Sequence, residues 1–290
     1  MANSLSDRSS GGHQAPKNKK YQMKREALEQ VIDKHISNIE KHSKKLPGTF
    51  DKEDIHDLRV NYKKVRAFLR LLQLEKDAGD LHISDKLKSL YHHCGTVRDW
   101  QLFLEELHDV GIVDQLPDCM HRWHRQVFTY KEQTVHAIET THFKKLLHGI
   151  IKELPRQLQE DTVKQFMHQK IAAIHILLLA AENEKDLHSI RKQIKDIIYC
   201  IRIFKSDWGI PFPFRGWKSE KELNEMASSL GDFNDQCLAI SLLQPSYICK
   251  CDYKEQHILR NLQINWLHQK EARQRQLLYE VQELHVEHAF

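Results

Sequence analysis

The chain has 290 residues, 40% of them hydrophobic and 29% charged, with 44 Lys and Arg against 40 Asp and Glu for a net charge of +4. That length allows one or two domains, and a charge so near balance excludes a binder that works by bulk basicity, so any cationic function must lie in how the charges are placed. Gly (10) and Pro (7) are scarce, which favours long helices with short connections, and no stretch reaches the ~18 apolar residues of a membrane span.

Residues 1–19 are polar, rich in Gly and Ser and aperiodic, and are expected to be a disordered leader. Lys17, Lys19, Lys20, Lys24 and Arg25 make a basic run into the first helix, where Lys20 and Lys24 could extend a basic surface. Apolar residues at helical spacing then predict helices at 21–45, 52–75, 83–108, 118–140, 142–153, 160–182, 186–206, 219–243 and 252–287, the eighth interrupted near Gly231. LPGTF at 46–50 is expected to break the first pair. DWGIPFPFRGW at 207–217 is the longest loop, and its Trp208, Phe212, Phe214 and Trp217 are expected to plug the core, since few cations are interleaved with them. No run alternates cleanly at period 2, so the fold class is all-α.

The second predicted helix carries an unusual charge pattern. At ~100° per residue, His56, Arg59, Lys63, Arg66 and Arg70 fall within a sector of roughly 80°, with Lys64 off it. Apolar residues take much of the remaining circumference, and no Asp or Glu occurs between Leu58 and Leu74. Like charges at this spacing cost roughly 0.2–0.5 kcal/mol per pair, so an anion from outside is expected to balance them. The stripe runs about 21 Å, which suits an extended polyanion better than one phosphate ester.

The pattern recurs. HDLRVNYKKVRAFLRLL begins at His56 and HSIRKQIKDIIYCIRIF at His188, 132 positions later. In the second, His188, Arg191, Lys195 and Arg202 share a face with Lys192 beside it, and the one acid, Asp196, is expected to point away. Gly95 with Asp99 and Gly231 with Asp235 follow the two copies in the same order. Together these imply an internal duplication into two pseudo-symmetric four-helix bundles.

The six cysteines show no CxxC pair and are expected to be reduced thiols. His121 and His124, like His285 and His288, have ligand spacing but lack a clear partner and are expected to be surface or packing residues. His56–Asp57 could suggest a metal phosphohydrolase, but further ligands are missing, and the second copy has Ser189 where the first has Asp57. No metal or cofactor is expected.

The pattern H-x-x-R-x-x-x-[KR]-[KR]-x-R-x-x-x-R, followed by a later G-x-x-R-D helix, resembles the CHAD family of histidine-containing α-helical domains. The resemblance runs from about Lys20 to the C-terminus. It implies one domain over 20–288, with bundles at about 20–155 and 156–288 around a central basic groove. It also implies non-catalytic binding of inorganic polyphosphate, in a stand-alone member that lacks the triphosphate-tunnel domain of some relatives. Carried over by position, the binding residues are His56, Arg59, Lys63, Lys64, Arg66, Arg70, His188, Arg191, Lys192, Lys195 and Arg202, with Arg98 either a ligand or half of an ion pair with Asp99. Asp196 and Ile198 stand where the first copy has Lys64 and Arg66, so the second half is expected to bind more weakly. The expected location is cytoplasmic, with polyphosphate granules or polyphosphate-metabolising enzymes as partners.

Two rivals are weighed. A nucleic-acid-binding module would use the same cations on a phosphodiester backbone, but the low net charge and the enclosure of the stripe argue against it. A protein-interaction scaffold would show Arg59, Lys63 and Arg191 neutralised by acids of the protein itself.

Overall fold

The computed structural model describes residues 22–214 and 218–282. The expected leader and Lys17, Lys19, Lys20, Trp217, His285 and His288 lie outside them. Ten helices and two short strands are described, in the order β1 (Gln22–Lys24), α1 (Arg25–Thr49), α2 (Lys52–Leu72), α3 (Asp85–Asp109), α4 (Pro117–Glu139), α5 (Phe143–Lys152), β2 (Gln157–Gln159), α6 (Glu160–Ala180), α7 (Glu184–Arg202), α8 (Glu220–Leu242), α9 (Pro245–Ile248) and α10 (Tyr253–Gln282). The all-α class stands.

Local chemistry sets the helix starts. Asp51 accepts from the amides of Glu53 and Asp54 to open α2, and Ser84 accepts from Leu87 to open α3. Asn183 with Asp186 and Ser219 with Glu222 form reciprocal capping boxes at α7 and α8. Pro117 occupies the first position of α4, where its missing N–H costs nothing.

Four expectations are corrected. The first pair breaks at the last residue of 46–50 and not at Leu46: α1 runs on through the exposed Pro47 and stops at Phe50, whose left-handed backbone (φ 50°) turns its N–H back to Leu46 O. Pro47 forgoes its own bond to the carbonyl of Ser43, and the helix continues only two residues past it, to Thr49. Gly231 does not interrupt α8, which is continuous. The absence of alternation concealed two three-residue strands, β1 and β2, which pair antiparallel with Met23 opposite Leu158. The cysteines are not all reduced, since Cys119 and Cys251 form a disulfide.

The principal core takes residues from Leu28 in α1 to Val281 in α10, so helices of both halves share it. Trp208 and Phe212 pack edge-on against Phe204, which is buried in it. A second core joins the ends of α3 and α4, through Trp100, Phe103 and Trp123, to Leu242, Leu259 and Trp266 of α8 and α10. α2 and α7 pack on each other within the principal core, Cys200 Sγ lying 4.0 Å from Ala67 O.

Candidate anion-binding site

α2 buries Ile55, Leu58, Tyr62, Val65, Phe68, Leu69, Leu71 and Leu72, which leaves its cations on the remaining strip. Their long stems can then lie along apolar neighbours while the charged ends stay clear. Arg59 shows the arrangement most fully. Its guanidinium sits 4.6 Å from the centre of the Tyr91 ring, and Nη1 donates to Tyr91 O at 3.4 Å. To get there it passes over Gly95, where a Cβ would lie 2.1 Å from Nη1.

Arg191 of α7 repeats this on α8. Its Nε donates to Ala227 O at 3.3 Å, and a Cβ on Gly231 would meet its Nη2 at 3.2 Å. In both cases the carbonyl belongs to the residue four before the glycine. Gly95 and Gly231 thus occupy buried helical positions because an arginine crosses there.

Lys63 joins the two sets. Burial pushes its ammonium down to about 7, and Arg59, Arg191, Arg66 and Lys195 push the same way. α2 and α7 therefore bring five cations into one field. Lys195 is likewise lowered, by burial and then by Arg191 and Arg202. Arg66 lies 5.8 Å from the centre of the Tyr62 ring, its buried Nε lacking a hydrogen-bond partner. Tyr62 stacks on Tyr91 at 4.0 Å, so this aromatic pair carries both arginines, each contact contributing about 0.5–2 kcal/mol. Burial pushes Tyr199 up to about 12, against the pull of Arg191, Arg202 and Arg66.

Among the described residues no carboxylate comes within ion-pair distance of Arg59, Lys63, Arg66, Arg191 or Lys195. Two acids lie nearby. Burial raises the Asp99 carboxyl, Arg59 pulls it down, and Asp235 raises it further, so the aspartates that follow the two glycines sense each other.

Other predicted residues lie apart from this field. Asp196 carries no ion pair to the cations of its own helix and reaches instead to α2 and α6. Its buried carboxylate accepts from Arg70 Nη1 at 2.8 Å and from Lys170 Nζ at 2.7 Å, because α6 brings Lys170 to it and satisfies an acid that could not stay buried alone. Arg202 Nε reaches Glu220 Oε1 at 3.3 Å and Nη2 reaches Asn224 at 2.8 Å. Lys64, lowered by burial, lies in the field of Asp207, Arg202 and Lys34. His56 is exposed at the start of α2. His188 and Lys192 line a cavity of about 300 Å³ with Phe233 and Asn234, whereas Arg191, Lys195 and Arg202 line another of about 500 Å³ with Gly231 and Asp235. Burial and Lys192 push His188 down, against a hydrogen bond with Asn234. Arg98 is half-buried with an unpartnered Nη1, and Lys24 is exposed on β1.

A cavity of about 980 Å³ lies elsewhere, between the segment leading into α3 and α5. It offers Lys86, Lys145 and Lys152 against Asp80, Glu139 and Glu153, so its charges balance. Sequence patterns missed the buried network of His35, which meets Asn61 Oδ1 at 2.8 Å and Asp207 Oδ2 at 3.0 Å, with Lys34 also on Asp207. They also missed the approach of Glu255 to Cys119 and Cys251, although its carboxylate is already taken by the amides of Asp118 and Cys119.

No helix of the described residues is long and apolar enough to cross a membrane. No curated protein matches the chain. Among solved structures it is similar to the CHAD domain from the plant Ricinus communis, with a TM-score of 0.68 and 17% identity over 92% of this chain and 93% of that one. It is also similar to PptA from Streptomyces chartreusis, with a TM-score of 0.61 and 12% identity over 90% and 99% of the respective chains. Likeness at such identities speaks for the fold. The CHAD domain family model matches residues 30–244, most of the chain, and the chain therefore belongs to the CHAD domain family.

Proposed function

We propose that this chain binds inorganic polyphosphate, without catalysis, in a basic groove between α2 and α7. One observation carries the reading: the half-buried Lys63 lies among Arg59, Arg66, Arg191 and Lys195 with no ion-paired acid, a cluster that holds unfavourable charge until an anion arrives. Arginine forks suit phosphate oxygens, and the lysines add point charge. Polyphosphate binding is also what the family resemblance implies. The matched crossings of Arg59 over Gly95 and Arg191 over Gly231 support two repeated halves that each contribute to the site. Polyphosphate granules or polyphosphate-metabolising enzymes in the cytoplasm would then be the partners.

Arg59→Glu with Arg66→Glu should abolish binding of long-chain polyphosphate in calorimetry, while far-ultraviolet circular dichroism keeps its helical signal. Retention of parental affinity by that double variant would reject the site. Affinity should fall as salt rises, through counterion release. Single-stranded RNA or DNA that displaced polyphosphate at matched charge would favour a nucleic-acid module instead.

A further inference from the structure

The stripes of α2 and α7 are not uniform along their length. Each would span about 21 Å if all its cations were open to a ligand. The far end of each is already held by an acid of the protein. On α2, Arg70 Nη1 donates to Asp196 Oδ2, which also receives Lys170 Nζ, and the Asp196 side chain is only 4% exposed. On α7, Arg202 donates to Glu220 and to Asn224, and Lys205 Nζ reaches the other Glu220 oxygen at 2.7 Å. A guanidinium seated on a carboxylate must leave it, or share it, before it can grip a phosphate oxygen. The middle of the site differs: Arg59, Lys63, Arg66, Arg191 and Lys195 have no ion-pair partner among the described residues. On the helices these five cover about 10 Å of α2 and about 6 Å of α7.

We propose that the anion footprint on this protein is short, ended by Asp196 on one side and Glu220 on the other, and that it is filled by about five phosphate units. The proposal rests on the polyphosphate reading above and adds a length to it. A long chain is gripped over one such segment while the remainder stays in solvent. A linear oligophosphate just long enough to meet the five cations of that one field gains nearly all the available affinity. Asp196 and Glu220 are then the residues that set the length, because each ties up two cations that would otherwise prolong the field.

The test is calorimetry on the full chain at fixed salt with tripolyphosphate, pentaphosphate, chains of about fifteen units and long-chain polyphosphate. For the parent protein, affinity per chain should rise up to about five units. Beyond that it should change by no more than about threefold, once the number of overlapping placements on a longer chain is allowed for. Glu220→Gln frees Arg202 and Lys205 and should move the plateau to longer chains and steepen the salt dependence by one to two released ions. Asp196→Asn should do the same through Arg70 and Lys170. Asp196 is buried, so the partly exposed Glu220 carries the test should the Asp196 variant fail to fold. A parental affinity that climbs about tenfold or more beyond fifteen units overturns the proposal, as does an unchanged length profile in Glu220→Gln. Either result leaves polyphosphate binding intact, whereas no binding at any length would remove that reading and this one together.

Discussion

Arg59 crosses α3 at Gly95, with Nη1 where a side chain at that position would have to be. The glycine is buried inside a 25-residue helix, a place where alanine would ordinarily be preferred by about 0.5–1 kcal/mol. Gly95→Ala should therefore leave the melting temperature unchanged or slightly raised, since the obstructed atom is the free end of a flexible side chain. The displaced Arg59 should weaken polyphosphate binding by about tenfold. Gly231→Ala, whose Cβ would meet Arg191 at 3.2 Å, should weaken it by less than about threefold. Equal effects from the two substitutions, read by calorimetry and thermal melting, would argue against this geometric account.

Lys63 supplies a pH dependence. Its ammonium is pushed from the ordinary 10.5 down to about 7, by burial first and by four neighbouring cations after it. The unfolded chain keeps that proton up to the ordinary value. Stability from this group therefore rises with pH between about 7 and 10.5, and is lost as pH falls through 7. Ligand affinity runs the other way, because a polyanion favours the charged ammonium. At pH 8, binding should take up about one proton, measured as the dependence of calorimetric enthalpy on buffer ionisation. Lys63→Met should abolish that uptake; a parent protein that takes up none would refute the assignment.

Asp207 is the counter-case, an acid held down. Burial opposes its charge, but the hydrogen bonds from His35 and Lys34 prevail and bring the carboxyl to about 2. Its contribution is present above the ordinary 3.8 and lost as pH falls toward 2. Asp207→Asn should cost about 2 kcal/mol in urea unfolding at pH 7, with a smaller deficit at pH 3. A deficit that does not shrink with acid would mean that His35 is satisfied in some other way.

The disulfide between Cys119 and Cys251 closes 132 residues across the second core. Constraint of so long a loop in the unfolded chain contributes about 5 kcal/mol on the chain-entropy account. A dithiol reductant should lower the urea midpoint accordingly, and Cys119→Ser should match the reduced protein. No change on reduction would show that the bond contributes nothing to stability.

Helix positions were legible because apolar spacing and caps such as Asn183 and Ser219 lie within one turn of what they determine. The end of α1 was not, because a proline signals a stop without fixing on which side of it the helix ends, and the cap at Phe50 rests on a left-handed backbone at a position where no glycine stands. The cations of α2 and α7 could be named from periodicity, but not their sorting into open and held. That sorting depends on Lys170 and Glu220, which reach Asp196 and Arg202 from α6 and α8. A single-helix projection carries no information about a neighbour. For the same reason the partners of Asp196 on α2 and α6 could not be named, and the His35–Asp207 bond, which spans 172 positions, left no local trace.

The principal core threads through both halves, and β1 is zipped to β2 at the start of the second. A gene fragment ending near Leu154 would leave Ala67, Phe68 and Leu71 as a bare oily wall, and a fragment beginning there would strand Ile197, Ile198 and Cys200 in the same way. The cation stripes and the apolar seam of the molecule are thus opposite sides of the same two helices. A cut between α5 and α6 should therefore unfold both pieces rather than release two working ones.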